Sequence, residues 1–355
     1  MIRNLSKITL LTLSLTTLSL ESSSAFSLFG PEKRTEIHVV GSSTVSPFMS
    51  AISEEFSRLQ NLKNIPTKTP TVESTGTKEG LKQFCAGVGY DYPDFANASR
   101  PIRQKDIVNC SKNGIKEIGE IKLGYDGIVI GNSVGGKKIK LTKEQIFLAL
   151  AAKVIDHKTG QLIDNPYSKW SDIDAKLPKN EILFYGPPLT SGTRDVFVEM
   201  VMEDVCFTNA DLINAYKDES LRKHSCVAIR TDGKFVESGE NDNLIIQNLK
   251  NNPHALGIIG FNFLIVNSKV IQAVKVDNVL PSFDTITSKK YELSRPLFVY
   301  FKREHLDLIP DMRDFIKEII SADTIGHNGY LYNSGLVALS DSELREVRRE
   351  TLSQL

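Results

Sequence analysis

The 355-residue chain has no net charge, with 43 Lys and Arg against 43 Asp and Glu. It therefore has no bulk electrostatic footprint for nucleic acid or an anionic membrane, and any anion site must be local. Past the N-terminus no stretch approaches 18 uninterrupted apolar residues, so no membrane-spanning helix is expected. The cysteines show no CxxC spacing, and the six histidines (His38, His157, His224, His254, His305 and His327) are scattered without a metal-like pair. No GxSxG elbow encloses Ser42, Ser43 or Ser191, so no nucleophile of the serine-hydrolase type is indicated. No activated nucleophile, metal or cofactor is implied, and an enzyme is not expected.

The N-terminus has a composition of its own. Arg3 and Lys7 form a positive start, Ile8 to Leu20 is apolar but diluted by Ser and Thr, and Ser22 to Ala25 are small. This is the pattern of a secretory signal peptide over residues 1–25, with cleavage between Ser23 and Ser27; the apolar stretch is too short to span a bilayer. Its removal leaves 41 basic against 42 acidic side chains. Secretion is an oxidising route, and Cys85, Cys110, Cys206 and Cys226 allow three pairings. The local one, Cys85–Cys110 with Cys206–Cys226, would close loops of about 20 to 25 residues, each worth about 3 kcal/mol.

Strand-like and helix-like stretches alternate. Ile37–Val40, Thr71–Glu73, Asp94–Ala98, Ile128–Ile130, Ile182–Tyr185, Ile258–Phe261 and Leu297–Phe301 read as strands. Helical spacing recurs after Pro47 (Phe48, Ile52, Phe56, Leu59), around Leu81 and Phe84, over Lys143–Val154, and from Thr193 (Val196, Phe197, Met200, Val201). Leu244–Leu249 and Met312–Ile320 complete the helices. The alternation predicts α/β layers with a ligand at the strand C-terminal ends. Gly124–Gly127 and Gly257–Phe263 are Gly-flanked and would serve as paired crossings between two lobes. The expected division is residues 26–125 and 262–355 in lobe I and 126–261 in lobe II.

Three short turns rich in hydroxyls and glycine run straight into helical stretches: Gly41–Thr44, Ser74–Thr77 and Thr190–Thr193. A helix start leaves backbone N–H groups unpaired and carries partial positive charge, so it can hold an anion without a metal. Hydroxyls add donors, and glycine lets backbone approach the ligand. Each turn alone would be a simple helix cap. Three in one chain point to several helix ends aimed at one small oxyanion.

With these turns in this order, the chain resembles the periplasmic phosphate-binding proteins of ABC-type phosphate importers. The strongest blocks are Glu73–Gly80, Ala96–Arg100 and Thr190–Arg194, and the resemblance runs from His38 to Leu331. It implies a two-lobed fold of the type II periplasmic-binding-protein kind, closing over one phosphate by hinge motion. It also implies permease subunits as partners, a periplasmic location and a monomer. Residue by residue, it implies that Thr44 and Val45 bind through hydroxyl and backbone N–H, with Thr77 and its neighbour Ser74 at the second turn. Ser191, Gly192 and Thr193 are the match at the third.

Two positions depart from the family pattern. Many members carry Asp where this chain has Arg100, and that Asp accepts the proton of hydrogen phosphate. Many also carry Arg where this chain has Pro187. Arg100 and Arg194 are therefore the expected charge-assisted partners, while Glu73, Asp126 and Asp195 are candidate proton acceptors. A sulfate, molybdate or phosphonate binder, a phosphatase-like secreted enzyme and a sensor without transport duty remain alternatives. If Arg100 touches the anion, Arg100→Ala weakens binding by roughly 1.5 to 3 kcal/mol in calorimetry; an unchanged affinity removes Arg100 from the site.

Overall fold

The computed structural model describes residues 33–156, 158–239 and 242–355. The predicted signal peptide and its cleavage site lie outside these residues. In chain order, β1 (His38–Gly41), α1 (Ser46–Leu62), β2 (Thr71–Ser74), α2 (Thr77–Phe84), β3 (Phe95–Ala98) and α3 (Gln104–Lys112) lead into β4 (Ile118–Ser133). Then come β5 (Lys140–Leu141), α4 (Lys143–Leu150), β6 (Lys153–Ile155), β7 (Leu162–Asp164), α5 (Trp170–Ile173), β8 (Phe184–Gly186) and α6 (Gly192–Phe197). After α6 follow β9 (Phe235–Glu237), a helix at Asp242–Asn251, β10 (Leu256–Gly260), β11 (Ile271–Ala273), β12 (Lys275–Val276) and β13 (Ser294–Lys302).

Two groups of strands meet on β4. In the first, β1 lies parallel between β2 and β3, and β13 runs antiparallel between β3 and the Ile118–Gly127 part of β4. In the second, β10 pairs antiparallel with Ile128–Gly131 of β4, and β8 and β9 continue parallel beyond it. Strand β1 is apolar without alternation because both its faces are covered: Val39 and Val40 are both fully buried. α1 packs Phe48, Met49, Ile52 and Phe56 inward, and Phe95 and Phe56 meet Phe315 edge-to-face at 5.5 and 5.2 Å. On the side of the second group, Trp170 and Phe184 pack ring to ring at 5.8 Å in the same continuous core.

Several expectations are refined. The helix expected over Lys143–Val154 ends at Leu150, because Ala151 turns extended and Lys153–Ile155 pairs with Leu162–Asp164. The expected division returned residues 262–355 to the first lobe. Register ties β11 to Gly131–Ser133 of β4, and β12 to β5. The chain rejoins the first group of strands at β13, where Ser294 faces Gly127. Both local disulfides are present, with Cα separations of 4.1 Å for Cys85–Cys110 and 6.0 Å for Cys206–Cys226. Among the described residues no helix is long and apolar enough to cross a membrane.

The passage of β4 from one group to the other is clamped by the C-terminal segment. Tyr125 exchanges backbone hydrogen bonds with Val337. Glu343, in the helix Asp341–Leu352, accepts hydrogen bonds from the Tyr125 hydroxyl at 2.6 Å and Lys122 Nζ at 3.1 Å. Burial pushes the Glu343 carboxyl up, but the bonds from Tyr125, Ser340 and Lys122 outweigh it and bring the group down to about 2. A carboxylate whose pKa is depressed on folding contributes stability above its unfolded value and loses it as pH falls through the folded one. Glu343→Gln should therefore lower the melting temperature by a constant amount above pH 4.5. That deficit should shrink as pH falls towards 2. A deficit independent of pH in thermal melts would show that the clamp does not depend on the ionised carboxylate.

Candidate functional site

The first two hydroxyl turns line one cleft of about 1030 Å³, and Arg194 and Asp195, just after the third turn, line it from the other side. Its first wall is the turn from β1 into α1. Gly41 ends β1 with φ 135°, and a Cβ there would stand 2.3 Å from Asn97 O, so only glycine lets β1 lie this close to β3. Ser42 N–H then donates to Asn97 O at 3.0 Å, and Ser42 O accepts from Val45 and Ser46 N–H. Thr44 lines the cleft, whereas Val45 is buried with its N–H committed to Ser42 O.

The second wall comes from β2–α2 and the end of β3. Gly76 starts α2 with φ 81°, and its N–H donates to Gly41 O at 2.8 Å, which binds this turn to the first. Thr77 lines the cleft; its Oγ1 accepts from Ser99 N–H at 3.2 Å and sits 3.2 Å from Ser99 Oγ. Ser74 ends β2 exposed and is not among the lining residues. Arg100 lines the cleft, with Nη1 donating to Pro101 O at 2.9 Å and Asp106 Oδ2 at 3.2 Å.

The third wall belongs to the second group of strands. Ser191 precedes α6, and a Cβ on Gly192 would come 3.8 Å from Thr44 Cα, so the third turn abuts the first. Ser191 and Thr193 flank this contact without lining the cleft. Arg194 lines it, but its guanidinium is partly spent: Nη1 donates to Pro187 O at 3.1 Å and the group stacks 4.3 Å over Phe235. Burial lowers its pKa against the pull of Glu237 and Asp195. Across the cleft, Asp195 Oδ2 accepts from Ser43 Oγ at 3.2 Å.

One cation was not foreseen. Arg295 lies opposite Asp126 in the β13–β4 register, and only 9% of its side chain is exposed. Nη2 donates to Thr44 Oγ1 at 2.9 Å, Nη1 donates to Glu199, and Nε stands 3.9 Å from Asp126 Oδ2. Its neighbours give no signal in the sequence: Arg295 sits between Ser294 and Pro296, ahead of the apolar run Leu297–Phe301. Burial pushes the Asp126 carboxyl up; Arg295 opposes this and Glu199 adds to it. Arg194 Nε, Arg295 Nε and Asp126 Oδ2 are buried without a hydrogen bond, a costly arrangement that marks a built polar site. Glu73, the other candidate acceptor, is exposed, pairs with His38 at 3.0 Å and does not line the cleft.

Chemically, the arrangement gathers hydroxyls and guanidinium groups from separate segments around one space, with carboxylates at its edge. It suits a small oxyanion carrying a proton.

A family model described as a PBP superfamily domain matches residues 30–323. The chain is 29% identical over 291 residues to the phosphate-binding protein PstS of Staphylococcus saprophyticus, covering 80% of this chain and 76% of that one. It is 25% identical over 324 residues to protein SphX of Synechocystis, covering 88% and 84%. The crystal structure of a possible phosphate binding protein from Planctomyces limnophilus superposes with a TM-score of 0.69 at 26% identity, covering 90% of this chain and 98% of that one. The mixed α/β sheet divided along β4, the cleft between its two parts and the match over residues 30–323 agree: the chain belongs to the PBP superfamily, with the two-lobed fold of a solute-binding protein.

Proposed function

We propose that this chain captures inorganic phosphate in the cleft and delivers it to the permease of an ABC importer. The observation that carries this reading is the convergence of Thr44, Thr77, Arg100 and Arg295, from four separate segments, on one polar cleft. The names of its relative PstS, a phosphate-binding protein, and of the Planctomyces structure, a possible phosphate binding protein, support phosphate as the ligand. The protein acts as a binder and turns nothing over. It works as a monomer in the periplasm, after loss of residues 1–25.

The ligand set we propose is Thr44, Thr77, Arg100, Arg194 and Arg295, with the backbone of Ser191, Gly192 and Thr193 at the start of α6. Val45 and Ser74 support the first two turns from behind. The lobes are proposed to divide at Asp126 and to rejoin at Ser294, a later return than the boundary at 262, because β11 pairs with Gly131–Ser133 of β4 and β12 with β5. Hinge motion about these crossings closes the cleft and excludes water, which strengthens every charged hydrogen bond inside.

Arg100 stands where many relatives place the proton-accepting Asp, so another carboxylate must take that role. We assign it to Asp195, which lines the cleft and already accepts a hydrogen bond from Ser43. An ionised acceptor favours hydrogen phosphate and repels sulfate, which has no proton to give.

Two outcomes follow. Arg295→Ala should weaken phosphate binding by roughly 2 kcal/mol or more, about thirtyfold in Kd. Calorimetry on protein whose melting temperature stays near wild type checks this, and wild-type affinity would remove Arg295 from the site. Asp195→Asn should let sulfate displace bound phosphate in a competition assay at neutral pH. If sulfate stays excluded, the proton acceptor lies elsewhere.

A further inference from the structure

Arg295 is a buried cation, and a buried cation needs a counter-charge. Two carboxylates supply it. Asp126 lies 3.9 Å away on the neighbouring strand and makes no hydrogen bond through Oδ2. Glu199 accepts directly from Nη1. The two differ in freedom. Asp126 is fixed in β4 with 18% of its side chain exposed, whereas the Glu199 side chain is 54% exposed on the helical turn that continues α6. Glu199 also comes from the opposite wall of the cleft, and Arg295 holds Thr44 with its other nitrogen.

We infer that Glu199 is a built-in competitor for the anion: its carboxylate occupies the donor that a bound oxyanion needs on Arg295, and it swings into solvent when the ligand arrives. This inference rests on the phosphate reading proposed above. The buried charge of Arg295 is then balanced in both situations, first by Glu199 and then by the ligand. Glu199 thereby sets the affinity of the site without touching the ligand, and it is a positioning residue. Its release is compensated because the incoming anion replaces the negative charge that Glu199 withdraws from the buried guanidinium. Asp195 lies one helical turn earlier on the same face and engages Ser43, so the two carboxylates together meet the two donor-bearing segments of the opposite wall.

Titration calorimetry with inorganic phosphate on wild type and Glu199→Gln tests this, with melting temperatures recorded in phosphate-free buffer and in phosphate. Removing the competitor should tighten Kd about fivefold, the factor that corresponds to about 1 kcal/mol. The melting temperature should fall in phosphate-free buffer, where Arg295 loses its counter-charge, and should rise further than wild type when phosphate is added. A merely structural role for Glu199 would weaken binding. A Glu199→Gln Kd that is unchanged or weaker, beside a wild type that binds, overturns the competitor role and leaves the phosphate reading standing. A wild type that takes up no phosphate overturns both.

Discussion

Most of what makes this cleft a site depends on one buried guanidinium. Arg295 stands where β4 passes from one group of strands to the other, in register with Asp126. Its nitrogens reach Thr44 on one wall and Glu199 on the other. Burying a cation costs several kcal/mol unless it is paired, so the fold must keep carboxylates and hydroxyl oxygens close to this point. That requirement links the first turn, the crossing strand and the helix after α6. The cleft is polar because this charge cannot be left alone.

The rest of the molecule holds these segments still. Gly41 allows β1 to lie against β3, which aims the Ser42–Thr44 turn at the cleft. A Cβ on Gly80 would stand 2.3 Å from Gly41 Cα, so α2 also packs directly on the end of β1. Tyr125 is tied to Val337 and Glu343 immediately beside Asp126, so the C-terminal helix steadies the strand from which Arg295 takes its register. The chain's overall neutrality fits this arrangement, since the charge that matters is local and paired.

Much of the fold was legible because it rests on short-range rules. Val39-Val40 and Ile258-Ile259 are continuous apolar runs, which is how a strand covered on both faces reads. Pro47 followed by Phe48, Ile52 and Phe56 announces α1. The end of α4 was misjudged because Leu150, Ala151, Ala152 and Val154 carry no break signal such as Gly or Pro, and only pairing with Leu162–Asp164 shows where helix becomes strand. The return to the first strands is hard to place from sequence for a related reason. The Gly-flanked stretch at 257–263 looks like a crossing, yet β11 and β12 pair back onto the strands just left.

The site was half legible. Thr44, Thr77, Arg100 and Arg194 reach the cleft because a hydroxyl turn before a helix is a local pattern with a local consequence. Ser74 and Val45 share those turns but do not line the cleft, a matter of a single residue's position that spacing does not resolve. Arg295 and Glu199 were invisible because they lie far apart in the chain, and their role exists only through strand register and the closeness of two walls. The measurement that tests the account most directly is a high-resolution crystal structure of the protein grown with phosphate. The account predicts one phosphate within hydrogen-bond distance of Thr44 Oγ1, Thr77 Oγ1 and the Arg295 guanidinium; an anion bound away from these groups, or none at saturating phosphate, would contradict it.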